Sequence, residues 1–369
     1  MDKTMMKIKK LLSVKPPEYL YHYTDMNSLK GIISNNEMWA THIRFMNDYE
    51  EQQLALKLLK ERVPNLLKNK KIDCEKLLDY LDFDVKKETL KRDIYIISFS
   101  EEKDSLGQWR GYGNRIPSFC AGLSTISFLK YFVSEPNSPI IKNKEMFKTS
   151  DILNESNSID DSIFNFNDSN ELNRKIFFVR CIYDELEQME YIDELVLDAL
   201  EKIELQKTKI NVKNLSEEIA KRFVVYCSFI KDAHFREEKE WRVVIIYEKT
   251  RLKKDIDKLI SSVNEKLKDA SNEQEEGKLE NDLDNLNNMK GKMKYDAKVL
   301  SYKKSKYGDK PFIKFKFPSK CFKQFIIGSC PDKTIVEDWL LKFLINNGFE
   351  IEKKNELVVH SEIPYRSWI

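Results

Sequence analysis

Glycine is scarce in this chain, ten residues in 369, and none of them writes a G-x-G-x-x-G or Walker-type loop. The doubly wound dinucleotide fold and the P-loop fold both need such a loop for close backbone approach to phosphate, so both are disfavoured. Cysteine is also sparse. Cys74, Cys120, Cys181, Cys227, Cys321 and Cys330 are scattered with no C-x-x-C, the spacing of single small hydrophobes rather than of a disulfide framework. The four histidines, His22, His42, His234 and His360, are too dispersed for a local metal-ligand spacing, and no metal is expected. Net charge is only +2 although 34% of residues are charged, which commits the chain neither to nucleic acid nor to membrane. No apolar run of about 20 residues occurs, and Met1 to Pro17 carries lysines without the apolar stretch of a secretory signal. A cytoplasmic protein that does not engage a membrane is expected.

What is present is enough apolar material for a sizeable core, 41% of residues, with 21 Phe, 16 Tyr and 5 Trp. Strand-like runs occur at Tyr19 to Tyr23, Met38 to Ile43, Asp93 to Ser100, Phe119 to Leu123, Ile176 to Tyr183, Trp241 to Tyr247, Ala297 to Tyr302, Phe312 to Phe317 and Phe325 to Gly328. Helical patterns lie irregularly between them, which predicts an α+β fold rather than a βαβ series. Asp48 to Leu67 carries Leu54, Leu58, Leu59 and Val63 on one face, and Leu215, Ile219, Phe223, Cys227 and Ile230 follow at helical intervals. We read residues 1–369 as one domain with two insertions. Residues 134–173, rich in Asn, Ser and Asp, have the composition of a loop. Residues 252–293, with Ile256, Leu259, Val263 and Leu267 and then Leu279, Leu283, Leu286 and Met293, predict an antiparallel helical hairpin. The hairpin is either a solvated insertion or an arm for self-association or partner binding.

Three clusters carry residue types suited to chemistry. His22, flanked by Tyr21 and Tyr23 and followed by Thr24, stands at a strand-to-helix turn, where it is either a satisfied core imidazole or a cleft residue. After the second strand, Asn47 and Asp48 are accounted for by helix capping alone. The second cluster follows the strand ending at Phe99: Ser98, Ser100, Asp104, Ser105, Gln108, Trp109, Arg110 and Tyr112. A single helical turn would set the rings of Trp109 and Tyr112 on one side, as a core pair or as a stacking surface. The third is Lys231, Phe235, Glu238, Glu240, Trp241 and Arg242. In a strand, Glu238, Glu240 and Arg242 share one face, either as a salt-bridged exposed edge or as paired carboxylates that divide work at a glycosidic bond.

Taken in order, YHYT, FMNDYEE, SFS with DSLGQWRGYG and FCAGL, K with FREEKEWRVV, IIGSCPD and a terminal SEIPYR, the chain resembles a large bacterial domain family with the same march of motifs. That family in turn resembles the ADP-ribosyltransferase superfamily. The resemblance implies split mixed and antiparallel sheets with flanking helices, and NAD as co-substrate without a metal. It implies that His22 and Thr24 bind the NAD ribose, that Tyr112 or Trp109 stacks on nicotinamide, and that Glu240, assisted by Glu238, stabilises the ribosyl cation. Ser100, Arg242 and Asn47 fall at further cofactor-binding positions of this pattern, and Asp48 and Glu51 match family positions without an assigned role. In the middle motif Trp-x-x-Tyr stands where the superfamily has Ser-Thr-Ser or a single tyrosine. The implied function is transfer of ADP-ribose to a protein, a nucleic acid or water, in a toxin-like effector of bacterial conflict. The alternatives are a non-catalytic nucleotide-binding or partner-recruiting module, and a nucleic-acid-directed protein using basic stretches such as Lys303 to Lys310 or Lys314 to Lys323.

Overall fold

The computed structural model describes residues 14–46, 49–113, 117–134, 174–205, 210–248, 300–305, 308–350 and 354–363, with positions 261, 264–265, 267 and 283. Nearly all of 252–293, and 134–173 beyond Ser134, lie outside these residues, as do Asn47 and Asp48.

The described residues form a mixed α+β structure built on a ten-stranded sheet. Strand β1 (Tyr19–Asp25) leads into helix α1 (Met26–Asn35), whose first turn is capped by Asp25 accepting the Ser28 N–H at 2.7 Å. Asn36, at φ 51°, ends that helix in the left-handed region and turns the chain into β2 (Glu37–His42). Helices α2 (Tyr49–Leu67) and α3 (Cys74–Lys91) precede β3 (Arg92–Ser100). The short helix α4 (Leu106–Tyr112), β4 (Ser118–Ser124) and α5 (Thr125–Ser134) follow. Then come β5 (Arg174–Arg180), α6 (Glu185–Leu205), α7 (Val212–Tyr226) and β6 (Glu240–Glu248). The rest is β7 (Leu300–Ser305), β8 (Gly308–Lys316), β9 (Phe322–Ile327), α8 (Lys333–Asn346), α9 (Lys354–Leu357) and β10 (Val358–His360).

Strand β3 is the hub. One of its edges pairs antiparallel with β6 from Arg92 opposite Glu248 to Ser100 opposite Glu240. Its other edge is shared, with β2 taking Tyr95 and Ile96 and β1 taking Ser100 opposite Tyr21. The sheet forks there: β1 continues through β4 and β9 to β10, β2 continues through β8 to β7, and β5 pairs with β6. The β9 and β10 pair is parallel, and the other strand pairs are antiparallel.

Alternation along the strands divides the apolar residues between the two faces. Leu20, Tyr95, Ile97, Phe99, Phe119, Trp241 and Val243 share one core with Leu29 and Ile33 of α1 and Leu340 of α8. Ile94, Ile96, Phe177, Val179, Val244 and Ile246 share the other with α2, α3, α6 and α7. A third cluster joins Tyr21, Tyr23, Cys120 and Ile326 to Trp109 of α4. The helical spacing that predicted α7 through Ile230 stops earlier, at Tyr226. Residues Cys227 to Phe229 turn, and Ile230 forms a parallel bridge with Ile182. All six cysteines are free thiols. Among the described residues no helix is long and apolar enough to cross a membrane.

Candidate functional site

Glu240 is the first residue of β6, and the chain reaches it through a 3-10 turn, Ala233–Glu238, and then Lys239 at φ 40°. That left-handed residue breaks the strand alternation predicted from Glu238 to Arg242, so Glu240 and Arg242 alone share a strand face. Glu238 converges on them by another route. The Lys231 ammonium donates to Glu238 Oε2 at 2.6 Å and to Glu240 Oε2 at 2.5 Å. Arg242 donates Nε to Glu240 Oε1 at 2.9 Å and Nη2 to Glu240 Oε2 at 3.0 Å. Its Nη1 and Nη2 each reach Glu51 Oε2 of α2 at 3.1 Å, and Nη1 also donates to the Ser228 carbonyl at 3.0 Å.

Three carboxylates and two cations thus form one network in which Arg242 is 0% exposed, Lys231 1%, and Glu51 and Glu240 4% each. Far from being an exposed edge, β6 is interior, paired on both sides. Desolvation offsets much of the Coulomb attraction in so buried a set, and what the set chiefly supplies is geometry. Burial alone drives the Glu240 carboxyl upward, and Arg242 followed by Lys231 more than reverses this, holding it at about 2. Glu240 is therefore an ionised carboxylate at neutral pH. Its backbone N–H donates to the Tyr183 hydroxyl at 2.8 Å, and burial pushes that phenol well up, so it stays protonated.

The fork sets the position of His22. Its Nδ1–H donates to the Ser98 carbonyl at 3.0 Å, across the gap where β1 leaves β3, and its ring tilts against Phe99 at 5.8 Å. Burial lowers the pKa of the imidazole, with the carbonyl bond acting the other way, so it is neutral at pH 7. His22 and the buried Thr24 share the face of Leu20, whereas Glu240 and Arg242 share the face of Val244 and Ile246. Strands β1 and β6 flank β3, so their backbones stand roughly 10 Å apart, two strand spacings. The side chains nevertheless leave the sheet on opposite sides, and the single pocket expected around the imidazole and the acidic pair is not formed.

The aromatic pair also separates. Trp109 is 1% exposed, edge-on to Tyr23 at 4.7 Å, with its indole N–H donated to Asp104 Oδ1 at 2.6 Å. It is a core residue that presents no face for nicotinamide. Tyr112, one short turn later at the end of α4, is 47% exposed. Ser100 Oγ donates to the Glu238 carbonyl at 2.6 Å and accepts the Glu102 N–H at 3.0 Å, which ties β3 to the turn before β6. Ser98 is different. Its Oγ is buried, without a hydrogen-bond partner among the described residues, on the same face as its cross-strand neighbour Arg242. Asn47 lies outside the described residues. Sequence reasoning assigned no role to Glu51 and did not single out Tyr183. The signal for Glu51 was present, since an acid on the stripe of Ala55 and Leu58 occupies a core-facing position of α2.

A family model described as Protein of unknown function (DUF2971) matches residues 108–243. The matched stretch runs from α4 to β6 and contains Lys231, Glu238, Glu240 and Arg242. No curated protein and no solved structure matches the chain. Among the described residues no group of His, Cys, Asp and Glu side chains is arranged to hold a metal ion.

The network has a pH signature. In the native chain Glu240 has a depressed pKa, so its contribution to stability is present above the unfolded carboxylate value of about 4.3 and is lost as pH falls toward about 2. Lys231→Met removes the second of the two cations that hold the Glu240 carboxyl down and moves its pKa back toward the unfolded value, with Arg242 still in place. Less stability is then linked to ionisation of Glu240, so the variant loses less of it as the pH falls. Urea unfolding should therefore show the deficit of Lys231→Met largest above about pH 5 and shrinking as the pH falls toward about 2. A deficit constant across that range contradicts the assignment.

Proposed function

We propose that the chain cleaves the nicotinamide–ribose bond of NAD and passes ADP-ribose to a protein, a nucleic acid or water, in an ADP-ribosyltransferase-like split sheet. The observation that carries this reading is the row Tyr21, Ser100 and Glu240 across β1, β3 and β6, which sets an ionised carboxylate at the fork of the sheet. Departure of nicotinamide builds positive charge on the anomeric carbon, and a fixed carboxylate stabilises that charge most where water is excluded. Arg242, tied to Glu51, fixes the carboxylate plane, and Glu238, 20% exposed, is the acid nearer solvent, placed to orient an acceptor. His22 serves this reading by bridging the fork to Ser98 rather than by holding the ribose. The Ser98 hydroxyl, without a partner among the described residues and on the face of Arg242, is a polar group a sugar would satisfy. The role as an effector in bacterial conflict follows from the family resemblance alone.

One observation favours a second reading, that of a nucleotide-binding module without turnover. Both Glu240 oxygens are occupied, one by Arg242 and the other by Arg242 and Lys231, so catalysis requires Lys231 to withdraw toward Glu238. Purified protein incubated with NAD distinguishes the two. Time-dependent nicotinamide release supports cleavage, and saturable NAD binding in calorimetry without release supports the module.

A further inference from the structure

We propose that the outward face of β2, β8 and β7 binds single-stranded nucleic acid, with Trp39 as the surface on which a base stacks. The register sets Glu37 opposite Lys316 and Trp39 opposite Lys314, on the side of the strands turned away from the core. Trp39 is 45% exposed, and its ring is stacked on Phe312 at a centroid distance of 4.2 Å and 21°. A half-exposed indole on a sheet face, with its orientation already fixed from beneath, loses little freedom when a planar ligand is laid against it.

Charge is organised around the same ring. Glu37 is 4% exposed, accepts the indole N–H of Trp39 at 3.3 Å, and lies 3.2 Å from the ammonium groups of both Lys314 and Lys316. Burial acts to raise its pKa, but the donors from Lys316, Trp39 and Lys314 win and it stays ionised. One buried carboxylate thus orders an indole and two lysines. Lys303 of β7 adds a third ammonium, which lies over the same ring at 5.6 Å from its centroid and, on an exposed side chain, gives way to a stacked base. Among the described residues these three cations against one anion leave positive charge in excess beside a flat aromatic surface.

That combination fits phosphate and base together. An aromatic plate for the base with ammonium groups for the backbone is the recognition mode of single strands, whose bases are free to unstack. A duplex hides its base faces, and a flat sheet face does not enter its grooves. An apolar protein partner would leave the surplus positive charge beyond Glu37 unmatched. The proposal rests on strands β2, β7 and β8 and does not depend on the NAD reading.

Fluorescence anisotropy of a labelled oligothymidylate of about 15 nucleotides, long enough for one such site, tests it. The full chain should bind saturably, and log affinity should fall with log salt by about 0.7 for each phosphate engaged. Trp39→Ala should weaken binding about tenfold, the loss of one stacked base, and Lys303→Ala should lower the salt slope. Both side chains are exposed, and circular dichroism confirms that the variants fold. Absence of binding at low salt, unchanged affinity in Trp39→Ala, or equal competition by polyglutamate or by a duplex of the same length overturns the proposal.

Discussion

Arg242→Met is expected to destabilise the fold by about 3–5 kcal/mol, the range for removing one partner of a buried ion pair. The guanidinium is 0% exposed and serves two carboxylates from different elements, Glu240 of β6 and Glu51 of α2, as well as the Ser228 carbonyl. Methionine fills much of the volume but leaves Glu51 and Glu240 without their guanidinium partner in the interior. Chemical denaturation at neutral pH measures the loss. The cause is separable from lost packing, because Glu51→Gln in the same chain removes one of the stranded charges and should restore part of the stability. A double variant no more stable than Arg242→Met would show that packing accounts for the change.

Strands β3, β4 and β6 were recovered because nearly all their described residues are buried, which writes a continuous apolar run. The run Asp93 to Ser100 is the hub β3 within one residue of its observed start. Strand β10 escaped, since three residues carry too little periodicity to register. The fork itself was not legible, because no local pattern states that β1 and β2 compete for one edge of β3. At the site, Glu238, Glu240, Arg242 and Lys231 were found as a cluster, and all four meet. The means by which they meet was not readable, because it depends on the single left-handed residue Lys239, and lysine gives no hint of positive φ. Trp109 and His22 were misplaced for related reasons. The hydrogen bond from Trp109 to Asp104, which buries the indole, and the choice of sheet face for His22 are both tertiary facts.

Glu240→Gln is expected to lower nicotinamide release by about 100- to 1000-fold, the scale for removing one preorganised electrostatic group. Glutamine keeps the shape, and its carbonyl oxygen can still accept from Lys231 and Arg242 Nη2 while its amide replaces the oxygen that met Arg242 Nε, but it places no negative charge beside a forming ribosyl cation. Circular dichroism checks that the variant folds. A loss confined to turnover, with NAD affinity little changed, is the pattern of an interaction made in the transition state.

The most direct measurement is therefore nicotinamide released from NAD by the folded chain of residues 1–369 and by its Glu240→Gln variant at matched concentration and neutral pH. Release by the native chain, reduced at least about 100-fold in the variant, is the expected result. Release that persists within a few-fold in Glu240→Gln would contradict the role given to this carboxylate.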